Sequence, residues 1–245
     1  MQTQALVSYL DQLLEVALYQ DYAPNGLQVE GKVDIRRIVT GVTASQALIE
    51  AAIAQQADAI LVHHGYFWKN EPAQIVGFKQ RRIKALLQHD INLLAYHLPL
   101  DDHAELGNNA QLAKLWGLTV TERSGLVCCA DLAEPLTVED FYQKVSDSLE
   151  REPLWLKGGP AQLRRIAWCS GGAQGYVDRA LALGADLYLS GEVSEQNCHF
   201  AVENGMHYFA AGHHATERLG VKALGEHLQQ VFDLEVQFID IANPV

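Results

Sequence analysis

Met206-His207-Tyr208-Phe209-Ala210-Ala211-Gly212-His213-His214-Ala215-Thr216-Glu217-Arg218 runs from one kind of periodicity into another, with a glycine between them. Residues 206–210 read as a buried strand. Val221, Leu224, Leu228 and Val231 then recur at helical spacing and predict a helix over 216–230. If its first turn begins at the histidines, Glu217 shares a face with His213 four residues back or with His214 three back. An imidazole and a carboxylate side by side at the carboxyl end of a strand make half of a metal site. The other half stands upstream, in Val62-His63-His64-Gly65 and His97-Leu98-Pro99-Leu100-Asp101.

Outward from this stretch the same rhythm repeats. Strands are predicted at 35–43, 58–62, 91–96, 164–169, 186–190 and 234–240, and helices at 45–55, 79–89, 108–116, 174–183 and 194–204. A first helix presents Leu6, Leu10, Leu13, Leu14 and Leu18 on one face. The alternation predicts an α/β protein of parallel strand–helix–strand units. Residues 118–160, with Pro135, Pro153, Gly158, Gly159 and Pro160, are expected to be less regular.

The two regular stretches read as one unit used twice. Arg36-Arg37-Ile38 matches Arg164-Arg165-Ile166 at an offset of 128 residues, and Ala57-Asp58-Ala59-Ile60-Leu61 matches Ala185-Asp186-Leu187-Tyr188-Leu189 at the same offset. That predicts two similar α/β lobes, 1–125 and 126–245, with the C-terminal helix and strand free to pack back on the first. The offset also sets His63-His64 opposite Gly191-Glu192 and makes the strand ends at His97 and His213 counterparts. Ligands of open α/β sheets collect at such ends.

Composition narrows the classes. The 245 residues are 49% hydrophobic and 20% charged, as in a globular protein. No 18-residue apolar span and no basic leader occur, so a membrane role and export are not expected. Cys128, Cys129, Cys169 and Cys198 lack CxxC spacing and read as thiols of a reducing cytoplasm. A net charge of −12 argues against a protein that tracks phosphate backbones. Lys79-Gln80-Arg81-Arg82 could form a local basic pocket for a single nucleotide, although such a run is more commonly a solvated helix face.

His63, His64, His97, Asp101, His213 and Glu217 are too many donors for one four-coordinate zinc. They suit two divalent ions sharing a carboxylate and a water or hydroxide. Imidazole and carboxylate without thiolate favour Zn, Fe, Mn, Co or Ni. An extended chain through Pro99 would aim His97 and Asp101 the same way. Asp101 is equally suited to cap the following helix. A metal-bridging water would be the nucleophile, and His97, Glu192 and His214 are the candidate acids for a leaving group. Tyr66, Phe67 and Trp68 could stack a planar base or serve as core.

Asn25-Gly26-Leu27-Gln28, Val62-His63-His64-Gly65, His97-Leu98-Pro99-Leu100-Asp101, Gly107-Asn108-Asn109, Ser190-Gly191-Glu192 and Gly212-His213-His214-Ala215-Thr216-Glu217-Arg218 together resemble the Nif-three-like (YbgI-like) dinuclear metal proteins, the GTP cyclohydrolase 1 type 2 homologues. The resemblance runs from about residue 19 to the last residues. It implies two similar lobes with a dinuclear site between them, in a ring-shaped homohexamer whose sites face the interior. It implies His63, His64, Asp101, His213 and Glu217 as ligands, with Glu217 bridging and His97 a close neighbour or extra ligand. His214 then becomes a supporting or substrate-facing group.

The functional expectation is a metal-dependent, cyclohydrolase-like hydrolase of a small nucleotide or heterocyclic substrate. The alternative is a metal-binding regulatory or scaffold protein without turnover of its own. A third reading, a two-metal enzyme of nucleic acid, is lowered by the acidic charge, although a ring could thread single strands.

Overall fold

The computed structural model describes residues 1–245. Its strands are β1 (Gly26–Val29), β2 (Arg37–Thr43), β3 (Ala59–His64), β4 (Asn92–Ala95), β5 (Glu122–Ser124), β6 (Val127–Thr137), β7 (Leu154–Leu156), β8 (Gln162–Trp168), β9 (Leu187–Ser190), β10 (His207–Ala210) and β11 (Glu235–Phe238). Its helices are α1 (Thr3–Leu13), α2 (Gln46–Ala54), α3 (Gly77–Gln88), α4 (Leu98–Asp102), α5 (Asn108–Trp116), α6 (Val138–Leu149), α7 (Val177–Ala182), α8 (Glu195–Glu203) and α9 (His213–Val231).

Two compact units result. One comprises Met1–Gly107 and Gly220–Ala242, the other Asn108–Leu219 and Asn243–Val245. The first holds a sheet in the order β1-β4-β3-β2-β11, in which β2, β3, β4 and β11 are parallel and β1 is antiparallel to β4. The second holds the order β5-β6-β8-β9-β10-β7, with β8, β9 and β10 parallel and β7 antiparallel to β10. The first sheet is thus parallel except for β1 at one edge, whereas the second has a parallel centre flanked on both sides by antiparallel strands, β6 with β5 on one and β7 on the other. The α/β class is as expected, but the sheets are mixed rather than purely parallel.

Strand side chains alternate between two apolar layers, as a period of two dictates when both faces are covered. In the first unit Ile38, Leu61 and Leu94 face α1 and the later turns of α9, where Leu6, Leu10, Val221, Leu224 and Leu228 are buried. Val39, Ile60, Val62 and Leu93 face α2 and α3 through Leu48, Ile49, Ile83 and Leu86. In the second unit Ile166, Trp168, Leu187, Leu189 and Phe209 meet α5 and α6, while Ala167, Tyr188 and Tyr208 meet α7 and α8. Each fully buried Leu, Ile or Phe contributes roughly 1.5–3 kcal/mol. An exposed ion pair such as Arg36–Glu235, 3.9 Å apart, is worth about 0–1 kcal/mol. The layered cores, and not surface charge, hold these sheets.

The internal repeat has a physical basis. The Asp58 carboxylate accepts the backbone N–H groups of Arg36 and Arg37, both at 2.9 Å. Asp186 accepts those of Arg164 and Arg165 at 2.7 and 3.0 Å. In both units the aspartate just before one strand satisfies two consecutive donors at the adjacent strand, Arg36 and Arg37 at the start of β2 and Arg164 and Arg165 within β8.

Four expectations are corrected. Residues 118–160 are well ordered in structure, carrying β5, the eleven-residue β6, α6 and β7. Pro135 lies just before the N-cap of α6 and Pro153 just past its end, where proline does no harm to a helix. The segment after His97 is helical rather than extended, because Leu98-Pro99 occupies the first turn of α4, a position proline favours. Strand β3 continues through His64 instead of stopping before the histidine pair. Leu18 is 75% exposed, since α1 ends at Leu13 and the chain turns at Glu15.

Candidate metal centre

The first unit gathers its predicted donors at the carboxyl ends of β3 and β4. His63 and His64 close β3, and His97 is the N-cap of α4. A ring nitrogen from each of these three lies within 4.8 Å of the others. Asp101 sits one turn into α4, its N–H bonded to the His97 carbonyl at 3.1 Å, and its Oδ2 is 3.5 Å from His63 Nε2. His63 is fully buried and Asp101 nearly so.

Oxygen partners fix how these rings are presented. His63 Nδ1 donates to the Tyr96 carbonyl at 3.0 Å. His97 Nδ1 donates to Asp21 Oδ1 at 2.7 Å. His64 Nδ1 lies 3.2 Å from Thr43 Oγ1. Carbonyls and carboxylates only accept, so Nε2 is the lone-pair nitrogen of the neutral His63 and His97 rings. Burial pushes the Asp21 carboxyl upward, but the hydrogen bond from His97, the charge of that ring when protonated, Asn25 and the Tyr22 N–H hold it down at about 2.

The second unit supplies the remaining donors from its own strand ends. His213 opens α9 directly after Gly212, and Glu217 follows one turn later. His213 Nε2 is 3.1 Å from Glu217 Oε2, and its Nδ1 is 2.7 Å from Glu192 Oε1. Glu192 is in turn held by Gln174 Nε2 at 3.1 Å. Burial alone would lower the His213 pKa, but Glu217 and then Glu192 outweigh it and raise it to about 9. A pair of carboxylates that favours a proton on this ring favours a cation beside it.

Two glycines make room for this arrangement. Gly171 has φ +63°, and a Cβ there would fall on Glu217 Oε1. A Cβ on Gly191 would come within 2.6 Å of His213 Cα. Only a chain without side chains at these points lets the loops after β8 and β9 close on α9.

The predicted residues therefore fall into two groups: His63, His64, His97 and Asp101 in one unit, and Glu192, His213 and Glu217 in the other. His214, next along α9, is turned roughly 100° around the helix axis from His213. It is buried, and its N–H donates to the Val245 carbonyl at 2.9 Å. Glu192 does not cap α8, where Ser194 and Asn197 form the capping box. Tyr66 is core, its hydroxyl on the Ala44 carbonyl at 2.8 Å, whereas Trp68 stands edge-on to His97 with centroids 4.9 Å apart. Asp21, Thr43 and Gln174 went unnoticed in the sequence. For Asp21 the one available sign was the turn Asp21–Gly26 preceding the quoted Asn25-Gly26.

Chemically, the donors suit divalent cations. They are nitrogen and carboxylate oxygen, the imidazoles are oriented through their far nitrogens as ligating histidines are, and Asp101 and Glu217 are buried.

Residues 1–244 match the profile of Duf34/NIF3 (NGG1p interacting factor 3). The chain belongs to the Duf34/NIF3 family. A Duf34/NIF3 relative in Pseudomonas aeruginosa, named GTP cyclohydrolase 1 type 2 homolog, is 57% identical over 245 residues, covering 98% of this chain and 97% of its own. Among solved structures, protein ybgI, described as of unknown function, is 51% identical with both chains fully covered and a TM-score of 0.98. TTHA1606 from Thermus thermophilus is 35% identical, also over the full length of both chains, with a TM-score of 0.93. No helix of this chain is long and apolar enough to cross a membrane.

Proposed function

We propose that this Duf34/NIF3 chain is a dinuclear metal-dependent hydrolase of a small nucleotide or heterocyclic substrate. His63, His64, Asp101, His213 and Glu217 would hold two divalent ions, and zinc, iron, manganese, cobalt and nickel all suit the donors. The observation that carries this reading is the orientation of His63, His97 and His213: each has Nδ1 committed to an oxygen partner. Core histidines need no such common presentation, whereas ligands do. The relatives' name, GTP cyclohydrolase 1 type 2 homolog, supports the class of chemistry.

When bound, the two cations would supply Lewis acidity and make water acidic enough to deprotonate at neutral pH. The chain's own contributions follow from its geometry. Glu192 orients His213 and shares its proton. Asp101, in the low-dielectric base of the histidine cluster, sets a carboxylate oxygen 3.5 Å from the lone pair of His63 Nε2, so that the two would share a cation between them. Trp68 shields one side of His97 and gives a planar substrate an aromatic edge. His97, Glu192 and His214 remain the candidates to protonate a leaving group. Assembly as a ring-shaped homohexamer, and a cytoplasmic setting, belong to the same proposal and rest on the family resemblance and the thiol content.

The test is reconstitution under anaerobic conditions with each metal in turn, followed by a panel of purines, pterins and phosphoesters. Turnover that requires metal and disappears in Asp101→Asn, with the far-ultraviolet spectrum unchanged, supports the proposal. Metal retained without turnover of any panel member would replace it with the scaffold reading.

A further inference from the structure

Asp21 lies far from any histidine in sequence and outside every motif that points to chemistry, yet its carboxylate is committed on all sides. Oδ1 accepts from His97 Nδ1 at 2.7 Å and from the Tyr22 N–H at 2.6 Å. Oδ2 accepts from Asn25 Nδ2 and from the Leu98 N–H, both at 2.9 Å. Asn25 closes the circuit, its Oδ1 accepting the His97 N–H at 2.7 Å. Only 3% of the Asp21 side chain is accessible. One short turn thus grips His97 by its ring, its own backbone N–H and the backbone N–H of the next residue.

We infer that Asp21 is a positioning residue that fixes His97 as the Nδ1–H tautomer and so delivers Nε2 as a further nitrogen donor to the His63–His64 cluster. The inference builds on the metal reading above for what the nitrogen serves, but the tautomer itself follows from the hydrogen bonds alone. A carboxylate can only accept, so His97 Nδ1 must carry a proton. With Nδ1 so committed, the lone pair of the neutral ring is on Nε2. The ring has no freedom to exchange its nitrogens, because Trp68 packs edge-on against it at 4.9 Å and the His63 ring centroid is 5.1 Å away.

Asp21→Asn tests this sharply, because an asparagine has one accepting oxygen and one donating nitrogen. The Leu98 N–H and the Asn25 amide are two fixed donors on one side against the single Tyr22 N–H on the other, so the new oxygen goes to the pair and the new NH2 turns to His97. His97 must then accept at Nδ1 and carry its proton on Nε2, the wrong tautomer for donating a lone pair. Asp21→Glu keeps an accepting oxygen and provides the conservative rescue.

Long-range proton–nitrogen NMR on the 15N-labelled, metal-free protein reads the tautomer directly. The wild type should show His97 protonated at Nδ1, Asp21→Asn should show it protonated at Nε2, and Asp21→Glu should restore Nδ1. Zinc titration by calorimetry on the same three proteins should show about 10–100-fold weaker binding in Asp21→Asn, the usual cost of losing a ligand's orienting partner, and partial recovery in Asp21→Glu. An unaltered tautomer in Asp21→Asn overturns the inference, and so does a switched tautomer with unchanged zinc affinity. Wild-type protein that binds no zinc would sink the metal reading instead, while the tautomer arm would still decide what Asp21 does.

Discussion

Asp58 and Asp186 occupy the same station in two different sheets: each takes the N–H groups of two consecutive arginines at the neighbouring strand, at 2.7 to 3.0 Å. The duplication is therefore a repeated piece of hydrogen bonding in the two halves of one chain, beyond any likeness of residue pattern.

Replacing either aspartate by alanine leaves two backbone donors without their acceptor. Hydrogen bonds to charged groups are worth about 1.5–3 kcal/mol each, and water can reach part of this edge, so a loss of about 1–3 kcal/mol per variant is expected in urea unfolding. Asp58 adds a pH signature. Burial pushes its carboxyl up, but Lys32, at 2.6 Å, and the Arg37 and Arg36 N–H groups outweigh it and hold it below the usual carboxylate range. A depressed native pKa stabilises above the unfolded value, near 3.9, and the stabilisation is lost as pH falls through the native value. The stability gap between wild type and Asp58→Asn should be constant near neutrality and close on acidification below about pH 4.

Gly171→Ala should separate folding from metal binding. The added methyl group collides with Glu217 Oε1, and φ +63° adds backbone strain of its own. The expected outcome is a melting temperature lowered by several degrees together with loss of at least one zinc equivalent, read by elemental analysis after gel filtration. A variant that keeps its full metal complement would show that Glu217 is not a ligand.

Metal loading should stabilise the wild type by mass action, by about 4 kcal/mol when free metal exceeds its Kd a thousandfold. In Asp101→Asn most of that increment should vanish while the metal-free melting temperature changes little, because an amide of the same shape replaces the buried acid. Differential scanning calorimetry with and without chelator measures both.

Thr137 caps α6, its hydroxyl accepting the Asp140 N–H at 3.1 Å. Thr137→Ala should cost about 1 kcal/mol of stability, with metal content unchanged. It serves as the control for a purely structural change remote from the donors.

Most of the parallel strands were legible because buried runs such as Ala59-Ile60-Leu61-Val62 and Leu187-Tyr188-Leu189 are apolar on both faces. The donors His63, His64, His213 and Glu217 were legible because they stand where those runs stop. What escaped had other causes. In 118–160 the prolines drew the eye, yet Val138, Phe141, Val145 and Leu149 carry a plain helical period between them. For His97 to Asp101, Pro99 is compatible with an extended chain and with the first turn of a helix alike, and the residue alone does not choose between them. Asp21 was illegible because its partner lies 76 residues away, and no local pattern announces a hydrogen bond of that span.

Strand β11 pairs with β2 across almost the whole chain, Glu235 opposite Arg37. During synthesis the β2 border of the first sheet must therefore wait, bare, through the making of the entire second unit before its final strand emerges. A nascent chain in that condition offers an unpaired ladder to any passing strand. Arg37, which later clasps Glu235 at 2.7 Å, stands on that border as a charge that discourages the wrong neighbour. The long helix α9, in which His213–Leu219 belong to the one unit and the later turns to the other, is what finally brings the missing strand home.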